Sequence, residues 1–258
     1  MYREALLRLA SPAARRHRLL AMQFPAPLTR GRLIKRYKRF LADVELPGGE
    51  TVTAHCANPG SMLGLADPGI GAWLSKSDNP KRKLAWSLEI VEVDAGRGET
   101  MVGINTAHPN TLVAEAIEAG RVTELADYER MRREVKYGRN SRIDILLEAV
   151  GRPPCYVEIK NVHLVREPGL AEFPDSVTAR GAKHLVELSD MVKEGARAAM
   201  VYLVQRGDTD KVAIAADIDP NYADALKTAR AAGVEVVAYD CDVSAEAISV
   251  ARPLPFVA

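Results

Sequence analysis

Two segments, SRIDILL at residues 141–147 and YVEIKNV at residues 156–162, decide how the fold of this sequence is interpreted. In both, apolar and polar residues alternate, which is the pattern of a β-strand with one buried face. Between them, Gly-Arg-Pro-Pro at residues 151–154 is typical of a turn. We therefore predict a hairpin whose apolar face includes Ile143 and Ile145.

The polar residues of this hairpin are candidates for a site that binds a divalent cation. If the register sets Asp144 opposite Glu158, two carboxylates and the amine of Lys160 share one patch, whereas a slip of one residue would separate them. Hard divalent cations such as Mg²⁺ or Mn²⁺ bind carboxylates together with waters and phosphate oxygens. Such a site can activate water against a phosphodiester, with the lysine stabilising developing charge. The alternative is an exposed Glu-Lys pair worth under about 1 kcal/mol.

The first half of the chain, residues 22–104, contains short alternating segments separated by turn signals such as Pro47-Gly48-Gly49. In one of them Phe40, Ala42 and Val44 are predicted to share a buried face. Short strands without a long helical period are typical of a small barrel or sandwich, and the pattern does not distinguish the two.

The second half, residues 105–258, mixes helices and strands in the order helix, three strands, helix, strand, helix, strand, which predicts an α/β domain. Its clearest helix covers residues 178–194. The Arg- and Ala-rich residues 1–21 resemble either a transit peptide or an extension ahead of a natural start at Met22, and we favour the extension.

Composition narrows the class of protein. The formal net charge of the 258 residues is +1, so nucleic-acid binding would need locally clustered basic residues. Three widely spaced cysteines without a C-x-x-C pair argue against disulfides and structural zinc and favour a reducing cytoplasm. No apolar stretch approaches the roughly 20 residues needed to cross a bilayer.

Two basic clusters are candidates for nucleic-acid binding. The second, Lys81-Arg82-Lys83, precedes Trp86 in a polar loop. Basic residues can track phosphates while aromatic residues stack on bases, although a charged edge strand that prevents aggregation is the simpler alternative. The first cluster surrounds Tyr37 and consists of Arg30, Arg32, Lys35, Arg36, Lys38 and Arg39.

A family resemblance rests on blocks of sequence in a fixed order. Asp144 followed by Glu158-Ile159-Lys160 is similar to the PD-(D/E)xK nuclease motif, with Ile143 in place of the proline. Together with further blocks, this pattern resembles the sugar fermentation stimulation protein A family from Met22 onward. The blocks are FPxPL (24–28), LIKRYKRFLAD (33–43), NPGSM (58–62), SRID (141–144), VEIKNV (157–162), FPD (173–175) and RGxKHL (180–185).

The resemblance implies an N-terminal OB-fold barrel at residues 22–104, a C-terminal PD-(D/E)xK restriction-endonuclease-like domain at residues 105–258, and binding to DNA. It assigns Asp144 and Glu158 as ligands of Mg²⁺ or Mn²⁺, and these two residues with Lys160 as the catalytic set. Glu115 is added as an acidic residue on the preceding helix, although a solvated helix face explains it equally well.

Other residues of the family blocks have more than one possible role. Asp175 is a further candidate for the site, and Arg180, Lys183 and His184 are candidate nucleic-acid contacts, although a lone histidine on a helix is more often a surface residue. The turn at residues 58–62 either contacts DNA or packs against the second domain.

Two functions are compatible with these residues. One is an active metal-dependent nuclease, and the other is a non-catalytic DNA-binding transcriptional regulator of sugar metabolism that keeps a nuclease fold as a scaffold. A small-molecule sugar enzyme lacks support, because no phosphate-binding glycine loop or Ser-His-Asp arrangement is present. The oligomeric state stays open, a homodimer included.

Overall fold

The computed structural model describes residues 21–138 and 141–257. Apart from Ala21, the predicted N-terminal extension lies outside the described residues. No helix of the described part is long and apolar enough to cross a membrane. The described chain forms a β-barrel followed by an α/β domain, which is the combination of folds that was predicted.

The N-terminal half is built from strands. They are β1 (Met22–Gln23), β2 (Thr29–Tyr37), β3 (Leu41–Glu45), β4 (Thr51–Cys56), β5 (Gly71–Lys76), β6 (Trp86–Asp94) and β7 (Glu99–Gly103). Strand β4 pairs with β3 on one side and in parallel with β6 on the other, which closes the order β2-β3-β4-β6-β5 into a barrel. A five-stranded Greek-key barrel of this kind is the OB-fold.

The barrel interior follows the predicted alternation with one exception. Ala42 and Val44 are fully buried, as predicted for β3. Phe40 was assigned to the same buried face, but its side chain is 43% exposed. The reason is the turn before β3, in which Lys38 and Arg39 have positive φ angles of 47° and 64° and interrupt the alternation.

The C-terminal half contains the α/β domain. Its elements are α1 (Pro109–Glu118), β8 (Arg130–Tyr137), β9 (Ser141–Glu148), β10 (Cys155–Val162), β11 (Leu164–Glu167), β12 (Leu170–Phe173), α2 (Ala179–Lys193), β13 (Arg197–Val204), β14 (Lys211–Ile214), α3 (Pro220–Ala231), β15 (Glu235–Val243) and β16 (Ala247–Pro253). The main sheet has the order β1-β16-β15-β13-β10-β9-β8, and β11-β12-β14 form a small second sheet.

Helices cover both faces of the main sheet. Helix α1 packs on one face through residues such as Leu112 and Ile117, and α2 and α3 pack on the other through residues such as Leu188 and Leu226. The prediction of the helices, of β8 to β10, and of β13 and β15 agrees with this domain, but β11, β12, β14 and β16 were not predicted. These strands are short or lie at sheet edges, where alternation is weak.

The first strand belongs to the C-terminal domain. Met22 pairs with Ile248 and Gln23 with Ala247 on the edge strand β16, and Phe24 packs against the same core cluster. The predicted barrel domain started at residue 22, so the structure differs from that prediction at its beginning. The chain therefore starts on the α/β sheet, crosses to build the barrel, and returns.

The turn at residues 58–62, here called the interdomain turn, joins the two halves. Its residue Met62 donates its backbone N–H to Asp175 Oδ2 at 2.9 Å, and Ser61 Oγ donates to the carbonyl of Asp175 at 2.6 Å. A Cβ on Gly60 would lie 2.4 Å from Asp175 Oδ2, so only glycine permits this approach. Of the two roles considered for this turn, packing against the second domain is the one that the structure contains.

The charge of Asp175 is stabilised at this interface. Burial alone would raise the pKa of Asp175, but hydrogen bonds from His163 and from the N–H of Met62 outweigh it and lower the pKa to about 2. A carboxyl whose pKa is lower in the folded than in the unfolded state stabilises the fold above the unfolded value of about 3.9, and this contribution is lost as the pH falls toward about 2.

We expect Asp175→Asn to lower the free energy of unfolding at pH 7 by about 2 kcal/mol, because the charge that receives these hydrogen bonds is removed. Urea denaturation at pH 7, 5, 4 and 3 should give the same difference from wild type at pH 7 and 5 and a smaller one below pH 4. Asp78→Asn, at an exposed aspartate, is the matched control. A difference that is independent of pH would contradict the assigned role of the charge.

Candidate active site

Strands β9 and β10 separate at Asp144. Their ladder pairs Leu147 with Cys155 and Ile145 with Val157, so the next pair would set Asp144 opposite Glu158. Instead of continuing the ladder, the N–H of Ile159 donates to Asp144 Oδ2 at 2.7 Å. The carboxylate of Asp144 therefore takes the place of a backbone acceptor, and the register is the one on which the predicted patch depends.

The faces of β9 differ in one respect from the prediction. Ile145 and Leu147 pack against α1, whereas Ile143 packs with the α2 side of the sheet. The alternation is interrupted beside Asp144, where Glu134 of the neighbouring strand β8 has a φ angle of 54° and the ladder passes from Val135 to Arg133. This change of face sets Asp144 at the point where the strands part.

Glu158 is the most enclosed acidic group of the site. Its side chain is almost fully buried, and its Oε1 accepts hydrogen bonds from Lys160 Nζ at 2.7 Å and from His184 Nδ1. Burial would raise the pKa of Glu158, but the bonds from His184 and Lys160 outweigh it and hold the pKa below its usual range. The second oxygen, Oε2, is buried without a partner.

His184 holds Glu158 in position. Its Nε2 accepts a hydrogen bond from Arg180 Nε at 3.3 Å, which assigns the ring proton to Nδ1, the atom that donates to Glu158. The ring is buried and both of its nitrogens are engaged, so it has no nitrogen left for the phosphate contact that was predicted. Lys183 lies one residue before it and contacts Ser141 and Glu187.

Asp144 lies in a strained electrostatic environment. Burial first, and then the charge of Glu158, raise the pKa of Asp144 to about 6, although hydrogen bonds from Ile159 and Asn110 oppose the increase. Asn110 Nδ2 donates to Asp144 Oδ1 at 2.8 Å. Two neighbouring carboxylates that repel each other are stabilised when a cation lies between them.

The donors present fit a cation of the Mg²⁺ type. Among the described residues, no three His, Cys, Asp or Glu side chains converge into a ready ligand cage. Mg²⁺, however, is usually held by only one or two carboxylates with several waters. Asp144 and Glu158 supply that number, and the buried Glu158 Oε2 without a hydrogen bond is an oxygen that a cation would satisfy.

The role of Glu115 stays a prediction. Glu115 lies on α1, and within the described residues no hydrogen bond or ion pair links it to Asp144, Glu158 or Lys160. Burial and the charge of Glu118 raise its pKa. The α1 residue that contacts Asp144 is Asn110, which the sequence analysis missed because a single asparagine after a proline carries no distinguishing signal.

A cleft between the two domains, with a volume of about 510 Å³, lies beside the two carboxylates. Asn110 and Lys160 line its α/β side, together with the segment at residues 173–178. Arg39 and the start of the interdomain turn line its barrel side. The hydrogen bonds between this turn and Asp175 close one side of the cleft.

Most members of the predicted basic cluster on β2 have partners along the strand, although Arg30, Arg32 and Lys35 are exposed, and their role in nucleic-acid binding stays a prediction. Lys38 and Arg39 alone occupy the exposed turn at its end, and only Arg39 lines the cleft. The partners are Glu92 for Arg30, the carbonyl of Gly69 for Arg32, Asp43 for Lys35 and Tyr37, and the interdomain turn for Arg36.

Comparison with known proteins identifies the family. Residues 34–104 match the model of the SfsA N-terminal OB domain, and residues 107–247 match that of the sugar fermentation stimulation protein RE domain. The homolog from Maricaulis maris is 57% identical over 233 residues, covering 90% of this chain and 97% of that protein. The homolog from Rhodospirillum rubrum is 58% identical over 248 residues, covering 92% and 100%.

A solved structure shares the whole architecture. The Pyrococcus furiosus SfsA in complex with Ca²⁺ superposes with a TM-score of 0.80 at 26% identity, covering 92% of this chain and 99% of that one. The two domain models, the curated relatives and this structure agree in both halves of the chain. The chain belongs to the sugar fermentation stimulation protein family.

Proposed function

We propose that this protein binds DNA and hydrolyses phosphodiester bonds with a divalent cation held by Asp144 and Glu158. The observation that carries the proposal is the buried Glu158 Oε2, which lacks a hydrogen-bond partner beside a second carboxylate, next to residues Ile159 and Lys160 that line the interdomain cleft. The Ca²⁺ named for the Pyrococcus furiosus relative supports a cation in this family.

The protein side chains have separate roles in this proposal. Asp144 and Glu158 would hold the cation, which when bound lowers the pKa of water and neutralises charge on the phosphodiester. Lys160 Nζ donates a hydrogen bond to Glu158 Oε1. Lys160 also lines the cleft, where its amine can donate to the attacking water or to a phosphate oxygen. His184 orients Glu158, and Arg39 faces the site as a phosphate contact from the barrel.

A non-catalytic DNA-binding role is the second candidate, and one observation favours it. Lys160 and His184 already supply two hydrogen bonds to Glu158, so this carboxylate is partly neutralised without a cation. A scaffold that had lost its chemistry would be stable in this form. The same scaffold has no need of Asp144 beside Glu158, where burial and the charge of Glu158 raise the pKa of Asp144 to about 6.

We expect cleavage of plasmid, single-stranded DNA or RNA in Mg²⁺ or Mn²⁺, and a loss of about 100-fold or more in Asp144→Asn and in Lys160→Ala. Gel assays of initial rates provide the measurement. The matched control is Asp224→Asn, at an exposed carboxyl on α3, which should keep the wild-type rate. Salt-sensitive binding without cleavage of any substrate would leave the regulatory role as the better account.

Cation binding can be measured without turnover. We expect saturating Mn²⁺ or Ca²⁺ to raise the melting temperature of the wild-type protein by roughly 5 to 10 °C, since a ligand at about 100 times its Kd stabilises by about 2.7 kcal/mol. Asp144→Asn should abolish most of this shift, and Asp224→Asn should retain it. An equal shift in all three proteins would mean that the cation binds elsewhere.

A further inference from the structure

The barrel presents an aromatic surface beside the cleft. Phe40 is 43% exposed, and its ring stacks on that of His55 with centroids 6.4 Å apart and an angle of 21° between planes. Its backbone is fixed, because its carbonyl accepts the N–H of Cys56 at 2.9 Å. Proteins that bind single-stranded nucleic acid combine exposed aromatic rings, on which bases stack, with cationic groups beside them.

Cationic loops lie on both sides of this pair. Lys38 and Arg39 immediately precede Phe40 in the β2–β3 turn. His55 pairs with Ser87 in the barrel wall, and Ser87 Oγ accepts from Arg82 at 2.9 Å. The β5–β6 loop that carries Arg82 also contains Lys81 and Lys83, against Asp78 alone. These are the loops L12 and L45 through which OB-folds bind oligonucleotides.

The acidic strand residues Asp43 and Glu89 are already paired. Asp43 accepts hydrogen bonds from Tyr37 at 3.1 Å and Thr53 at 2.8 Å, and Lys35 lies 3.6 Å away. Glu89, farther along β6, is buried and bound by residues of the domain junction. Asp78 of the β5–β6 loop is exposed, but the five basic residues of the two loops outnumber it, so the net charge around the aromatic pair is positive and complements a polynucleotide backbone.

The platform leads directly into the cleft. Arg39, which lines the cleft, is adjacent to Phe40 in the chain. Asn58, which lines the barrel side of the cleft, follows His55 by three residues, so the Cα atoms of Asn58 and His55 are at most about 10 Å apart. A strand lying across Phe40 and His55 would thus continue past Arg39 toward Lys160. A cleft of about 510 Å³ is in the range that encloses one small ligand, comparable to a nucleotide.

We propose that the protein takes single-stranded nucleic acid, which stacks its bases on Phe40 and His55, contacts the two cationic loops through its phosphates, and enters the interdomain cleft. One part of this inference, that the strand is led to the carboxylates, rests on the proposed function. Bases paired in a duplex are stacked internally and cannot use an aromatic platform, so this surface selects unpaired strands.

Fluorescence anisotropy tests the selection in EDTA, where no cleavage occurs. Labelled oligo(dT), oligo(U) and a mixed-sequence DNA duplex of equal length serve as probes for the wild-type protein, Phe40→Ala, Phe40→Trp and the control Val150→Ala, at an exposed apolar residue in the β9–β10 turn. Circular dichroism melts confirm that each variant is folded.

We expect the wild-type protein to bind at least one single strand about ten-fold or more tighter than the duplex. Phe40→Ala should weaken that binding by about 5- to 100-fold, as expected for loss of base stacking, and Phe40→Trp and Val150→Ala should retain it. The oligo(dT) and oligo(U) arms distinguish DNA from RNA. Equal affinity for duplex and single strands, or no effect of Phe40→Ala, would overturn the proposal.

The salt dependence of binding measures the number of phosphate contacts. The slope of log K against log salt for single strands is about 0.7 per phosphate contact, so Lys81→Ala with Lys83→Ala should reduce its magnitude by about 1.4. Lys227→Ala, on α3, should leave the slope unchanged, and an unchanged slope in the double variant would exclude the β5–β6 loop from the strand path.

These binding results separate the two proposals. Selective single-strand binding through Phe40 without cleavage in Mg²⁺ or Mn²⁺ would keep this inference and refute the nuclease. Cleavage lost in Asp144→Asn, combined with equal binding of duplex and single strand, would keep the nuclease and refute this inference.

Discussion

The hydrogen bond from the N–H of Ile159 to Asp144 Oδ2 is the interaction on which the site depends. In an uninterrupted hairpin that N–H would pair with a backbone carbonyl, and the two strands would stay about 5 Å apart with their side chains alternating. Because a side chain provides the acceptor instead, β9 and β10 part at this point. At this point Asp144 and Glu158 lie close enough for the charge of Glu158 to raise the pKa of Asp144.

Holding these two carboxylates together costs electrostatic free energy, which groups from the surrounding elements offset. A buried carboxylate without partners would lose several kcal/mol of solvation, and two of them side by side would in addition repel each other. Helix α2 contributes His184 and strand β10 contributes Lys160 to Glu158, while α1 contributes Asn110 to Asp144. Both faces of the sheet are thus needed to support one pair of acids. The packing of α1 and α2 on the sheet therefore also positions the groups that stabilise the two carboxylates.

Much of the fold could be predicted from the sequence. Alternation predicted β9 and β10, and the order of helices and strands predicted the α/β domain. The exposure of Phe40 could not be predicted, because the positive φ angles of the preceding turn are decided by the path of the barrel. Asn110 and the partner of His184 depend on distant elements that meet only after folding.

Several polar contacts join the two domains, among them the ion pair of Arg97 with Asp210 and the contact of the interdomain turn with Asp175, which lines the cleft. Asp175 accepts the N–H of Met62 and a hydrogen bond from His163, and Gly60 leaves room for its carboxylate. Since one wall of the cleft belongs to the barrel and the other to the α/β domain, the positions of Arg39 and Lys160 relative to each other depend on how the two domains are held together. The contact of the interdomain turn with Asp175 lies in the cleft itself and is therefore part of that alignment. The interface therefore belongs to the proposed site as much as the carboxylates do, because it determines whether the surface that would bind a strand is aligned with the groups that would cut it.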